Sequence, residues 1–284
     1  MRLPFRLLDV FGRGPFTGNQ LCVVPEASEL DTDTMQAIAR EIGFSETTFV
    51  TATTGDAYDV RIFTPGQELP FAGHPTLGTA FLLVSEGAVA SPVTQRCGAG
   101  ELVVEIEPDR GSGRMRQFPA ELSSPFGDRA SIASAAGLDE ADLHPDRPVQ
   151  TASTGLPHTI VPVRDVETLR RAERHGALVG EAIRRTGGES LYLFAEDGEG
   201  VTARMFDWEL GVGEDPATGS AAGPLGAYLA EHALLGMPGR IEIRQGQQVA
   251  RPSLLEVDVR RDGDAWRPWV GGEVRIVGEG EFRL

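Results

Sequence analysis

Apolar positions along the chain fall into two rhythms. Residues 5–11 and 20–25 alternate or run apolar, as strands do, and the stretch between them, Gly12-Arg-Gly-Pro-Phe-Thr-Gly-Asn19, is rich in turn formers. Met35, Ile38, Ala39 and Ile42 are spaced for one face of a helix, with Asp31 or Thr32 placed to cap it and Gly43 to end it. Ser45–Val50 and Val60–Phe63 return to the strand pattern, the second closing in the Thr64-Pro65-Gly66 turn. Further strands are predicted at 102–107, 114–118, 158–163, 191–195, 201–206, 240–244, 254–260 and 273–277. The Arg-rich stretch 166–185 reads as a helix with a solvated face. Two other helices are apolar throughout, and each starts in a glycine-rich loop. One follows Leu69-Pro-Phe-Ala-Gly-His-Pro-Thr and runs to about Ser85; the other follows Gly211-Val-Gly-Glu-Asp-Pro-Ala-Thr-Gly-Ser and covers about 218–235.

Many short strands with few helices predict an α+β fold rather than a doubly wound sheet. Alternation of helix and strand is too irregular for a Rossmann fold, and no G-x-G-x-x-G follows an opening strand. The duplicated loop and helix predict two similar halves with the site between them. The Ser-, Asp- and Ala-rich region from Ala120 to Arg147 marks the boundary, giving lobes 1–120 and 121–284, with the final strands free to pack on the first lobe.

Composition narrows the function. At 284 residues the core can be sizeable. A net charge of −16 speaks against nucleic acid, whose phosphates need a basic footprint. No apolar run approaches the roughly 20 residues that span a bilayer, and the first residues lack a signal-peptide pattern, so a cytoplasmic location is expected. All 26 basic residues are Arg, which excludes a lysine Schiff base, a P-loop lysine and a lysine nucleophile. Cys22 and Cys97 stand outside any metal-like spacing and read as apolar or partly buried residues.

Candidate chemistry sits at the punctuated junctions. Small residues at Gly73 and at Ala217, Thr218, Gly219, Ser220 and Ala221 let backbone approach a ligand, and each helix start presents free N–H groups to an anion. An ordinary capped helix is the plainer reading of either start taken alone. Glu46, His74 and Asp215 are the titratable groups beside these loops, suited to take a proton from carbon and return it elsewhere. Such work calls for a buried carboxylate, with Phe44, Phe49, Phe71 and Phe206 as candidate apolar walls. His144, His158, His175 and His232 form no metal pattern, and Ser220 has no base beside it in sequence, so it reads as a donor.

Three segments carry a resemblance: Ser45-Glu-Thr-Thr-Phe-Val50, Phe63-Thr-Pro-Gly-Gln-Glu-Leu-Pro-Phe-Ala-Gly-His-Pro-Thr-Leu-Gly-Thr-Ala80, and Glu214-Asp-Pro-Ala-Thr-Gly-Ser-Ala-Ala-Gly-Pro-Leu225. Together with Asp9-Val-Phe, Gly18-Asn19, Ile243-Arg-Gln-Gly and Arg251-Pro-Ser-Leu, they resemble the PhzF family of phenazine biosynthesis proteins across most of the chain. The resemblance implies a diaminopimelate-epimerase-like fold: two pseudo-symmetric lobes, each a curved, mostly antiparallel sheet around a central helix. It also implies a homodimer and a cofactor-independent isomerase acting on a small anionic substrate; no metal is expected from the spacing of the histidines and cysteines. The reaction implied is isomerisation of trans-2,3-dihydro-3-hydroxyanthranilate. Glu46 would move the proton, His74 and Asp215 would assist, and Ser45, Gly73, Thr218, Gly219 and Ser220 would hold the substrate. Epimerases of the same fold place a cysteine in each glycine motif; here those positions are Ala72 and Thr218, so a two-thiol mechanism has no thiols. An isomerase or epimerase acting on a different secondary-metabolite substrate, or small-molecule binding without catalysis, would use the same residues.

Overall fold

A computed structural model describes residues 2–198, 200–207 and 213–284. Gly211 and Val212, at the head of the second glycine-rich loop, lie outside the described residues. The chain divides into two compact units, unit 1 comprising Met1–Arg116 with Gly271–Leu284, and unit 2 comprising Gln117–Val270.

Unit 1 contains β1 (Arg2–Val10), β2 (Asn19–Val24), α1 (Thr32–Ile42), β3 (Glu46–Thr54), β4 (Ala57–Phe63), β5 (Glu68–Leu69), α2 (Gly73–Ser85), β6 (Val93–Cys97), β7 (Gly100–Glu107) and β8 (Ser112–Arg116). It also takes most of the final strand (Ala265–Arg283). β1–β2, β3–β4, β4–β5, β6–β7 and β7–β8 pair antiparallel, whereas β2–β3 and β4–β6 are parallel. The final strand pairs with β1 and with β8, which closes the sheet into a ring and leaves the main strands no open edge. α2 runs inside this ring, in contact with β1, β2, β3, β6, β7 and β8. Eleven of its 13 residues are buried, and its apolar and small side chains on all sides fit only such a position. Gly78 lets the sheet come close: a Cβ there would stand 2.5 Å from Leu21 Cδ2. α1 packs outside the sheet, where Met35, Ile38 and Ala39 meet Phe49, Phe63, Val24 and Leu3. Asp31 caps it by accepting the Thr34 N–H at 2.8 Å, and Gly43 ends it at φ 69°.

Unit 2 contains β9 (Glu121–Leu122), α3 (Arg129–Ala135), β10 (Gln150–Ser153), β11 (Pro157–Pro162), α4 (Val166–Arg171), α5 (Gly176–Thr186), β12 (Ser190–Glu196), β13 (Val201–Asp207), β14 (Glu214–Asp215), α6 (Gly219–Glu231), β15 (Arg240–Gln245) and β16 (Ser253–Asp262). Its pairings from β10 to β16 repeat those from β1 to β7 in order and sense, including the two parallel steps, β11–β12 and β13–β15. α6 takes the place of α2, with 12 of 13 residues buried against strands that include β10, β11 and β16. Outside the sheet, α3, α4 and α5 bury Ile132, Leu169, Val179 and Ile183 against Leu191, Leu193 and Phe206.

One predicted element is corrected. The single helix expected over 166–185 is two, α4 and α5, broken at Ala172 in extended geometry. The Arg204 guanidinium from β13 causes the break: its Nη1 donates to the Leu169 and Ala172 carbonyls at 2.9 and 2.7 Å, satisfying the end of α4 in place of a further helical turn. No helix among the described residues is long and apolar enough to cross a membrane.

Candidate active site

In unit 1 the first residues of β2, β3 and α2 converge. His74, second residue of α2, stands with Nε2 3.2 Å from the Gln20 carbonyl and 3.5 Å from Glu46 Oε2. A carbonyl and a carboxylate oxygen accept, so Nε2 carries the ring proton. Nδ1 then accepts from Asn19 Nδ2 at 3.1 Å, and Asn19 Oδ1 accepts the Ser45 hydroxyl at 3.2 Å. Burial holds the imidazole neutral, its pKa pushed down to about 3, with the Gln20 contact opposing this only in part. Glu46 is itself buried, at 7% exposure. Its place toward α2 follows from strand alternation: Thr48, two residues on, lies on the same face and bonds Thr79 of α2 at 2.8 Å. The first turn of α2 is braced from below, where the Tyr58 hydroxyl donates to Gln95 and Gln95 donates to Thr76 Oγ1, each at 2.8 Å. No side chain caps Gly73 and the residues beside it.

Unit 2 builds a matching cluster at the start of α6. The Thr218 hydroxyl donates to Asp215 Oδ2 at 2.6 Å, and Gln245 Nε2 donates to the Asp215 carbonyl and to Thr218 Oγ1 at 2.8 and 2.9 Å. Gln245 Oε1 accepts the Tyr192 hydroxyl and the Thr218 N–H. Tyr192 is raised above its ordinary range, by burial first and by the Asp215 charge second. Asp215, Thr218 and Ser220 are all buried, and the α6 start again has no side-chain cap. The Ser220 hydroxyl lies 3.1 Å from His158 Nε2, and His158 Nδ1 lies 2.8 Å from the Ser190 hydroxyl.

The two clusters are variants of one module. Glu68-Leu-Pro-Phe-Ala-Gly-His74 and Glu214-Asp-Pro-Ala-Thr-Gly-Ser220 align without a gap, and Ile62 faces Leu69 as Met205 faces Asp215. Arg61 and Arg204 each grip the module's glutamate in a two-pronged pair, with Nε to Oε1 at 2.8 and 2.9 Å, and each stacks over the phenylalanine two residues on. At the head of the third strand, however, unit 1 has Glu46 and unit 2 has Ser190. At the last residue of the short strand the roles reverse, with Leu69 in unit 1 and Asp215 in unit 2.

The family model described as phenazine biosynthesis-like protein matches residues 8–280. The chain belongs to this PhzC-PhzF family. It is 36% identical over 255 residues to a trans-2,3-dihydro-3-hydroxyanthranilate isomerase of Pseudomonas chlororaphis, covering 88% of this chain and 87% of that one. It is 32% identical over 269 residues to an uncharacterized isomerase of Clostridium acetobutylicum, covering 90% and 89%. Among solved structures, a predicted epimerase from Pseudomonas aeruginosa superposes with a TM-score of 0.89 at 36% identity over 99% of each chain. A probable proline racemase from Agrobacterium radiobacter shares the fold alone, with a TM-score of 0.72 at 14% identity over 99% of this chain and 93% of that one. The PhzC-PhzF chain thus has the α+β, diaminopimelate-epimerase-like fold that the resemblance implied.

One reading of the residues changes, and another gains a partner. Phe49 and Phe206 are not walls for the carboxylates. Each lies in the core on the opposite face of its strand, with α1 and with α3–α5 respectively. Ser220, without a base in its sequence neighbourhood, has His158 beside it, 62 residues away along the chain. In the sequence His158 stands out only as a histidine outside any metal pattern and Gln245 only within a family motif, while Ser190, Tyr192 and Arg204 carry no signal of their own; extending the loop repeat backwards to Arg61-Ile-Phe and Arg204-Met-Phe marks the arginine. Among the described residues no three His, Cys, Asp or Glu side chains converge as a metal site would require.

Proposed function

We propose that the protein is a cofactor-independent isomerase that moves one proton on a cyclic amino-carboxylate, with trans-2,3-dihydro-3-hydroxyanthranilate as substrate. The observation that carries this reading is the buried carboxylate of Glu46 beside a neutral His74 whose Nε2–H faces it. In the proposed reaction Glu46 takes the proton from ring carbon C3 and returns it at C1. His74, unable to hold a second proton near neutrality, acts as a fixed donor that orients the carboxylate. Ser45 supports His74 through Asn19. The uncapped starts of α2 and α6, at Gly73 and at Gly219–Ser220, are assigned to the substrate carboxylate, for which exposed N–H groups and the helix dipole are suited. Asp215, oriented by Thr218, is assigned to the substrate's amino or hydroxyl group.

One base fits an isomerase better than an epimerase, which needs a proton acceptor on each face of the carbon. The positions of Ala72 and Thr218 carry no thiol, and the unit 2 counterpart of Glu46 is a serine. A second reading, the same chemistry on another cyclic amino-carboxylate, is favoured by the similar identity to the uncharacterized isomerase. The test is turnover of dihydrohydroxyanthranilate in deuterated water, followed by NMR. Wild type is expected to isomerise the compound with solvent exchange at the receiving carbon, and Glu46→Gln to lose about 100-fold or more in rate. Unchanged turnover in Glu46→Gln would remove Glu46 from the reaction; no turnover by wild type would remove this substrate and leave the second reading.

A further inference from the structure

In unit 2 two buried residues outside the proposed proton transfer, His158 and Ser190, are hydrogen-bonded in line with Ser220. Ser190 is 1% exposed, and its hydroxyl has one partner among the described residues, His158 Nδ1 at 2.8 Å. A neutral imidazole accepts from only one of the two hydroxyls that bracket it, and the proton left over is better placed on Ser220, at the uncapped start of α6, than on the more deeply buried Ser190. Nδ1 is therefore the lone-pair nitrogen, and the ring proton sits on Nε2. Burial keeps His158 neutral, pushing its pKa down to about 3, so the ring carries that one proton only. Nε2–H then donates to Ser220 Oγ at 3.1 Å. Ser220 accepts from His158, and its own O–H is left with no acceptor among the described residues although the side chain is only 6% exposed.

We infer that His158 and Ser190 are positioning residues that hold Ser220 as a dedicated hydrogen-bond donor to a ligand carboxylate. This rests on the substrate class proposed above. The duplicated module gives the assignment its logic. The same junctions in unit 1 hold Glu46 and His74, which bring a carboxylate that can exchange protons. In unit 2 the carboxylate is replaced by the Ser190 hydroxyl and the imidazole is moved to β11, so the cluster cannot act as a base and instead orders a chain of donors: Ser190 to His158, His158 to Ser220, Ser220 to the ligand. A neutral chain of this kind rewards an acceptor and gives no advantage to a donor in the ligand.

The test combines histidine ¹⁵N NMR with binding of two planar probes, anthranilate and its neutral amide 2-aminobenzamide. In wild type, His158 is expected to show a protonated, pyrrole-type Nε2 and a bare Nδ1. Ser190→Ala, which frees the tautomer, is expected to weaken anthranilate by about tenfold while leaving 2-aminobenzamide within a factor of about two, since a bond to a charged acceptor is the stronger one. His158→Gln should do the same with an unchanged fold by circular dichroism. A proton on Nδ1 in wild type, or an unchanged anthranilate affinity in Ser190→Ala, would overturn the inference without help from any variant that fails to fold. If Nε2 carries the proton but wild type binds neither probe, the donor assignment is supported and the proposed substrate class is what fails.

Discussion

Lowering the pH from 7 to 5 should cost the protein about 2 kcal/mol of stability through His158 alone. The ring is enclosed, both nitrogens are committed to hydroxyl groups, and burial takes its pKa from 6.5 to about 3. In the unfolded chain the same group titrates near its ordinary value of about 6.5. As the pH falls the unfolded state binds the proton first, so native stability declines below about pH 6.5 and continues to decline until the folded value is reached, at about 1.4 kcal/mol per pH unit. His74 in unit 1 is lowered to about 3 by burial as well and adds an equal term for that unit. His144 and His232, lowered chiefly by burial, act in the same direction. The carboxylates held low by hydrogen bonds, among them Asp165 and Asp258, stay ionised in both states over this window and lose their contribution only below about pH 4. All three tryptophans, 208, 266 and 269, fall in the residue range of unit 2, so fluorescence-detected urea unfolding at pH 7, 6 and 5 reads the unit that holds His158. His158→Gln should flatten the pH dependence by about 1.4 kcal/mol per unit. A wild-type stability unchanged between pH 7 and 5, or a His158→Gln curve as steep as wild type, would refute the argument that burial keeps this ring neutral.

The two arginine–glutamate pairs offer an internal comparison. Arg204→Ala should cost about 3–5 kcal/mol, because it leaves the mostly buried Glu214 without its cation and strips the α4 carbonyls, whereas Arg61→Ala, at a pair whose side chains are 30% and 40% exposed, should cost about 1 kcal/mol or less, both measured by urea unfolding followed by circular dichroism, which reads both units. Gly246→Ala should destabilise by about 2 kcal/mol or more: φ is +83°, and a Cβ would stand 2.2 Å from the Arg251 carbonyl and 2.5 Å from that of Pro216, just ahead of Thr218. Gly14→Ala, where a Cβ meets nothing within 4 Å, is the control, and equal unfolding midpoints for the two would count against the close approach.

Much of this protein was determined by local pattern. The α1 cap at Asp31 and its stop at Gly43 follow from side-chain chemistry within a single turn, and the all-round apolar sequences of α2 and α6 mark them as interior helices before any strand is placed. Glu46, His74, Asp215 and the two glycine starts were legible for the same reason: turn formers and small residues announce a junction, and titratable groups beside it stand out. What the tertiary structure alone decided depends on contacts between residues far apart in the chain. The carbonyls that end α4 are held by Arg204, more than 30 residues on, and the segment before Gly176 by Ala135 and Ala136 of the preceding helix region, contacts that lie outside residues 166–185. The faces of Phe49 and Phe206 turned on strand register, where a shift of one residue exchanges core for site. The Ser190–His158–Ser220 chain exists because β11 and β12 pair in parallel and α6 runs against that sheet, which brings together three residues from 158 to 220. Loop closure over such distances leaves no local trace, so periodicity could find the two helix starts but not the contacts that set one beside Glu46 and the other beside His158.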